Sequence, residues 1–116
     1  MARYSGLDYV EADRQMLYDL TGLTESQIAE LESNLEILGM EVNVSSLLTN
    51  IYHELTDTIE GKGEKDRQWN ELGSDQQLDL WKSRIEENLG YYKEAYEFTD
   101  WQEEAYNNII SILSQL

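Results

Sequence analysis

The feature that most restricts the fold is a helical spacing of apolar residues, interrupted by glycine and never by proline. The chain has 116 residues, with 7 glycines and no proline. Between the glycines, apolar residues recur every three or four positions, which places them on one face of an α-helix. The alternating pattern of a half-buried strand is scarce. The sequence therefore predicts an all-α fold, an irregular bundle of four to five main helices that are mostly antiparallel.

Capping residues and glycines give the predicted bounds of the helices. Thr24 with Gln27 and Thr99 with Gln102 match the capping box, in which each residue of a pair bonds the backbone N–H of the other. Gly73 interrupts the fourth apolar stripe and is predicted to end a short helix. The predicted helices start near Ser5 or Asp8 and end before Gly22, and then run over about 24–38, from Ser45 or Ser46 to about Glu60, over 64–72, over 75–98 and over 100–116.

The apolar faces predict the core. The expected core residues are Leu31, Leu35, Ile51, Leu55, Trp81, Ile85, Leu89 and Ile109. Tyr92, Tyr96 and Trp101 continue the same stripes and are predicted to anchor the last two helices in the core. Tyr91, Tyr106 and Trp69 fall off the stripes, and exposed aromatic side chains of this kind are enriched at protein interfaces.

At this length a single domain over residues 1–116 is expected. A flexible hinge is predicted near 61–67, where Gly61 and Gly63 flank Lys62. The Gly-Lys pair does not form a phosphate-binding loop. That motif requires a glycine five positions earlier and a Ser or Thr after the lysine, and this chain has neither.

The charge balance points to a class of partner. The chain has 24 acidic against 8 basic residues, a net charge of −16. Nucleic acids and anionic membranes are polyanions, so direct binding to either is disfavoured. A basic protein partner is favoured instead. A solubility role and a salt-rich habitat would also account for the acidic excess, and the sequence leaves both open.

Nothing in the sequence indicates catalysis, a metal or a cofactor. There is no cysteine, and His53 is the only histidine. The Glu-x-x-His pattern of di-iron bundles would require glutamate at the position of Asn50. Close acid pairs such as Glu86 with Glu87 arise by chance among so many carboxylates, and a solvated helix face explains them. We therefore expect a protein that is not an enzyme.

The compartment is predicted from the lack of an apolar targeting segment and of a membrane-spanning segment in the sequence. The start of the chain has no apolar region of a secretory signal. No apolar run approaches the ~18 residues of a membrane span. The expected location is the cytoplasm.

Acidic and aromatic residues are densest in the segment 91–104. Acidic residues recur there at three-residue steps across the junction of two predicted helices, and Lys93 is the only basic residue among them. Ordinary helix surfaces mix lysine with glutamate, so this predicts a negative ridge that faces a partner. The predicted partner-binding residues are Glu86, Glu87, Tyr91, Glu94, Glu97, Asp100, Glu103 and Glu104.

Two functions from different classes are compatible with this pattern. The first is a non-catalytic inhibitor or decoy that imitates nucleic acid and occupies the basic nucleic-acid-binding surface of another protein. Its profile (small, acidic and without a catalytic motif) is similar to that of phage and mobile-element anti-restriction and anti-CRISPR proteins. The alternative is a structural or assembly module of a larger complex or virion, which docks or oligomerises through its C-terminal helices. The sequence leaves monomer and homodimer open.

Overall fold

The computed structural model describes residues 9–40 and 42–116, with side chains from Arg14 onward. It confirms the all-α prediction, since helices hold most of this part of the chain and no strand occurs in it. None of the helices found there is long and apolar enough to cross a membrane. The helices are α1 (Tyr9–Thr21), α2 (Glu25–Ile37), α3 (Val44–Thr56), α4 (Lys62–Ala95) and α5 (Asp100–Leu113).

Local capping sets the helix starts. Both predicted capping boxes are present, at Thr24 before α2 and at Thr99 before α5. The predicted cap of α3 at Ser45 or Ser46 is wrong, because the Asn43 side chain accepts hydrogen bonds from both of their backbone N–H groups, at 3.1 and 3.2 Å. Asparagine is among the strongest N-caps. The predicted start of the first helix lies outside the described residues, and its predicted end before Gly22 matches α1.

Gly73 divides α4 into two helical segments. Its backbone angles are φ 79° and ψ 162°, a region that only glycine adopts readily. The predicted interruption at Gly73 is therefore confirmed. The predicted hinge near 61–67 falls on Gly61 and the first turns of α4, and its flexibility stays a prediction.

Both segments of α4 contact α3. In the first segment, Asp66 accepts a 2.7 Å hydrogen bond from the Tyr52 hydroxyl, and Trp69 packs edge-on against the Tyr52 ring. In the second segment, the indole N–H of Trp81 donates to the carbonyl of Val44 at 2.9 Å. Trp81 is fully buried, so this bond satisfies a donor that water does not reach. The break at Gly73 lets one long element pack against α3 along two directions.

Three side-chain contacts give the direction in which α5 packs on α2. They join Gln27 to Gln115 (3.1 Å), Asn34 to Asn108 (3.3 Å) and the carbonyl of Ile37 to Gln102 (3.5 Å). Residue numbers rise along α2 while they fall along α5, so the two helices are antiparallel. The end of α2 therefore lies beside the first turn of α5.

Seven of the eight residues first expected in the core are buried, and the exception among them is Leu55. Its side chain is 49% exposed, so its placement in the core was wrong. Thr56 occupies the buried position in the last turn of α3, with 1% exposure. The Thr56 hydroxyl donates to the carbonyl of Tyr52 at 2.7 Å. That bond removes most of the penalty of burying a polar group and lets the buried face end on a threonine.

Replacing Gly73 should test the backbone break. We expect Gly73→Ala to lower the free energy of unfolding by about 1–3 kcal/mol, because a side chain disfavours these backbone angles. A Cβ added there meets no atom within 4 Å, so the cost lies in the backbone alone. Gly90 is the matched control, since it lies inside α4 without a positive φ and has the same open space. Gly90→Ala should raise stability by up to about 1 kcal/mol. Urea unfolding followed by circular dichroism measures both, and equal shifts would contradict the break.

The Tyr52–Asp66 bond predicts a pH-dependent contribution to stability. Burial, and then the bond to Asp66, raise the pKa of Tyr52 to about 12 from its ordinary value of 10.0. The same bond, with Lys62 nearby, lowers the pKa of Asp66. We expect Tyr52→Phe to lower the free energy of unfolding by about 1 kcal/mol at neutral pH.

The raised pKa determines how this difference changes with pH. The stabilisation is complete below pH 10 and is lost as the pH rises toward about 12, because the unfolded chain gives up the Tyr52 proton first. It is also lost as the pH falls below 3.8 through the lowered pKa of Asp66. Urea unfolding across pH should therefore show wild type and Tyr52→Phe converging at both extremes. Tyr91→Phe, at a 69% exposed site, is the control. A constant difference would contradict the assignment.

Candidate protein-binding surface

The candidate surface lies where α4 ends, the chain turns and α5 begins. The connection between the two helices has only four residues, 96–99. Tyr96 leaves the helix in an extended conformation, with φ −129° and ψ 144°. Gln102 helps to cap α5 at Thr99, and its side-chain nitrogen lies 3.5 Å from the carbonyl of Ile37. The turn therefore contacts the C-terminal end of α2 through this hydrogen bond.

The structure places seven of the eight predicted binding residues in exposed positions, and Glu103 is the half-buried one. The Lys93 ammonium lies 3.1 Å from a Glu103 carboxylate oxygen, which brings the end of α4 against the first turns of α5. Glu86 has Lys82 at 3.9 Å. The predicted residues divide into Glu86, Glu87, Tyr91 and Glu94 on α4, Glu97 in the connection, and Asp100, Glu103 and Glu104 on α5.

Three large aromatic side chains are exposed near this junction, one on α4, one in the connection and one on the first turn of α5. Tyr91 is 69% exposed, as its position off the apolar stripe predicted. Tyr96 is 59% and Trp101 is 67% exposed, so the prediction that both are core anchors was wrong. Tyr92 is half-buried against the core, and its ring lies 5.4 Å from that of Tyr96. We call Tyr91, Tyr96 and Trp101 the exposed aromatic residues.

Tyr96 is exposed because the helix ends one residue before it. The buried residues of the second segment of α4 are Trp81, Ile85 and Leu89, and a helix continued from them would carry Tyr96 on the same face. Since α4 ends at Ala95, that spacing no longer determines where Tyr96 points. The N-cap at Thr99 was the available signal, because it implies a non-helical link just before it.

Trp101 is exposed because α2 ends opposite it. Trp101 lies one turn before Ala105, the first buried residue of α5, and so continues the apolar stripe. In the antiparallel pairing, Gln102 already lies beside Ile37, the last residue of α2. No part of α2 remains to cover the residue before Gln102. The spacing can be read in the sequence, but the point where the neighbouring helix ends cannot.

Two aromatic residues that were predicted to contact a partner are covered by the chain itself. Trp69 is 5% exposed and belongs to the core. Tyr106 is half-buried: the Lys93 ammonium lies 4.1 Å from its ring centroid, and the Phe98 ring lies 6.1 Å away. Neither residue is part of the exposed surface.

A shallow cleft at the connection between α2 and α3 was not predicted. It is lined by Glu32, Glu36, Met40 and Val42, among others. Arg14 neutralises Glu32 at 2.7 Å, so the cleft is less acidic than its composition implies. None of the predicted binding residues lines it. Within the described ranges, no three acidic or histidine side chains are grouped to hold a metal ion.

Substitution of tryptophan should distinguish exposed from core positions. We expect Trp101→Ala to change the free energy of unfolding by less than about 0.5 kcal/mol, because the side chain is largely in water. Trp69→Ala should cost about 3–5 kcal/mol, since it leaves a cavity in the core. Acrylamide should quench the wild-type fluorescence mainly through Trp101, because Trp69 and Trp81 are buried. A large destabilisation by Trp101→Ala would contradict the exposed position of Trp101 and indicate that its side chain is packed in the core.

Comparison of the chain with protein-family models, with curated proteins and with solved structures found no match.

Proposed function

We propose that this protein is a non-catalytic, acidic binding module that occupies the basic nucleic-acid-binding surface of another protein. Its role in this proposal is that of an inhibitor or decoy, of the kind that blocks a nuclease of a restriction or CRISPR system. The binding surface comprises the exposed aromatic residues and the carboxylates that surround them at the turn between α4 and α5.

One observation carries the proposal: the exposed aromatic residues lie among carboxylates for which the chain supplies almost no cation. Residues 85–116 contain seven acidic residues and one basic residue, Lys93. Lys93 is already bound between Glu103 and the ring of Tyr106. Glu86 has Lys82 at 3.9 Å, and Arg84 lies close enough to interact with Glu87. The charge of Glu94, Glu97, Asp100 and Glu104 is left to be balanced by salt ions or by the cations of a partner.

The expected contributions to the binding free energy differ between the rings and the carboxylates. An exposed ion pair contributes only about 0–1 kcal/mol. A tryptophan or tyrosine at the centre of an interface contributes about 2 kcal/mol or more. The rings therefore supply most of the affinity. The carboxylates speed association with a positive surface and disfavour negative ones.

A groove that binds nucleic acid fits this surface for a physical reason. Such a groove is lined with lysine and arginine, which neutralise phosphates. It also commonly offers flat contacts on which bases stack. A turn that carries both carboxylates and aromatic rings can contact the cations and the flat surfaces of such a groove without any nucleotide.

The alternative, an assembly module that oligomerises through its C-terminal helices, has less support. On the C-terminal helix α5, Ile109 and Ile112 are 0% and 5% exposed because they pack inside the chain. Trp101 remains available. However, two copies that each carry a net charge of −16 repel one another.

Charge reversal should test the proposed function. Glu94, Glu97 and Glu104 are exposed, and we expect their triple substitution by lysine to weaken binding to the target protein at least tenfold. The control reverses Asp57, Glu60 and Asp79, which are also exposed and give the same net charge. The probe is a panel of purified restriction and RNA-guided nucleases, with affinity measured by calorimetry from about 0.05 to 0.5 M salt.

Competition with duplex DNA completes that experiment. Binding should weaken as salt rises, and DNA should compete with the protein for the nuclease. Three results would contradict the proposal: binding that does not respond to salt, simultaneous binding of DNA and protein, or equal losses in the two triple variants.

A further inference from the structure

The chain binds one of its own cations with a ring and a carboxylate. The Lys93 ammonium, on α4, lies 3.1 Å from a Glu103 oxygen and 4.1 Å from the centroid of the Tyr106 ring, both on α5. Glu103 and Tyr106 are three residues apart, so they lie on neighbouring positions of one helix surface. A ring attracts a cation through its negative face, and the carboxylate adds a direct charge interaction.

Two more ring–carboxylate pairs with this spacing lie in exposed positions. Trp101 and Glu104 are three residues apart on α5, and Tyr91 and Glu94 are three residues apart on α4, with the ring before the carboxylate instead of after it as in Glu103 and Tyr106. All four residues are exposed. Within residues 85–116 the chain has no second basic residue that could occupy them. In the part of the chain that the structure describes, the cation–ring contacts are those of Arg14 and Lys93, and neither lies on these pairs. Each pair therefore offers the same two kinds of group that hold Lys93, in the opposite order along the helix.

We propose that the pairs Trp101–Glu104 and Tyr91–Glu94 bind arginine side chains of one arginine-rich segment of the partner, in preference to lysine. The proposal rests on the function proposed above and specifies which cation the surface recognises. An arginine-rich protein segment is the expected occupant, because both pairs offer an exposed aromatic ring beside a negative charge.

The chemistry of the two cations gives the preference. The guanidinium group of arginine is planar, so it stacks on an indole or phenol ring and still donates two parallel hydrogen bonds to a carboxylate. The lysine ammonium is compact and strongly hydrated, so contact with a ring removes water that it holds tightly. At exposed ring–carboxylate pairs, arginine therefore gains more than lysine.

Synthetic peptides can test this preference on the full chain. One peptide alternates arginine with serine, and the other, of equal length, alternates lysine with serine. Affinity is measured by calorimetry and by the protection of Trp101 fluorescence from acrylamide. We expect the arginine peptide to bind about fivefold or more tightly and to protect Trp101. Equal affinities, or no binding of either peptide, would overturn the proposal.

Variants at the rings distinguish stacking from charge. Tyr91→Leu with Trp101→Leu keeps every carboxylate and should reduce the arginine preference to about onefold. Tyr91→Phe with Trp101→Phe keeps the rings and should retain most of the preference. If the leucine variant is as selective as the phenylalanine variant, stacking is not the cause and the proposal fails.

The two proposals can fail separately. If a nuclease binds the protein in competition with DNA while the two peptides bind equally, the arginine preference is wrong and the proposed function stands. If the arginine peptide is preferred, and lost in the leucine variant, while no nuclease competes with DNA, the preference stands and the proposed function is wrong.

Discussion

The antiparallel pairing of α2 with α5 is the interaction on which the candidate surface depends. Apolar residues of both helices belong to the core cluster, and three polar contacts along their length set the direction of the pairing. Because Gln102 lies beside Ile37, α2 has ended before it can cover Trp101. Tyr96 is the first residue of the four-residue connection that leads to α5. Apolar packing in the core thus leaves aromatic rings exposed at one end.

The ion pairs determine which acidic residues remain unbalanced. Of the seven basic residues in the described part of the chain, six form ion pairs with acidic residues. Two of these pairs join different helices elsewhere in the fold, Arg14 with Glu32 and Arg84 with Glu54. Since these side chains are only partly buried, such pairs add little to stability. These pairs place Arg14 and Arg84 beside acidic residues on other parts of the bundle. Acidic residues outnumber basic ones by seven to one in the segment 86–104.

Much of the fold could be predicted because its signals are local. A capping box joins residues three positions apart, so Thr24 and Thr99 marked the starts of α2 and α5 without knowledge of any neighbour. The break at Gly73 follows from backbone angles that other residues avoid. The buried positions of α2, α4 and α5 follow from the 3.6-residue period. Predictions of this kind failed near helix ends, as for Leu55 and Tyr96, because the period no longer holds where the helix stops.

By itself the sequence determined the helical class, the strong negative charge, the capped starts of α2 and α5 and the acidic composition of the segment 91–104. Helical period, capping and ionisation are properties of a residue and its near neighbours in the chain. Only the tertiary structure decided that Trp101 and Tyr96 are exposed, that Tyr106 is covered and that Lys93 is taken by Glu103. Exposure and ion pairing depend on where a neighbouring helix ends and on which of its side chains lies close enough to make contact. No local sequence pattern determines either of these.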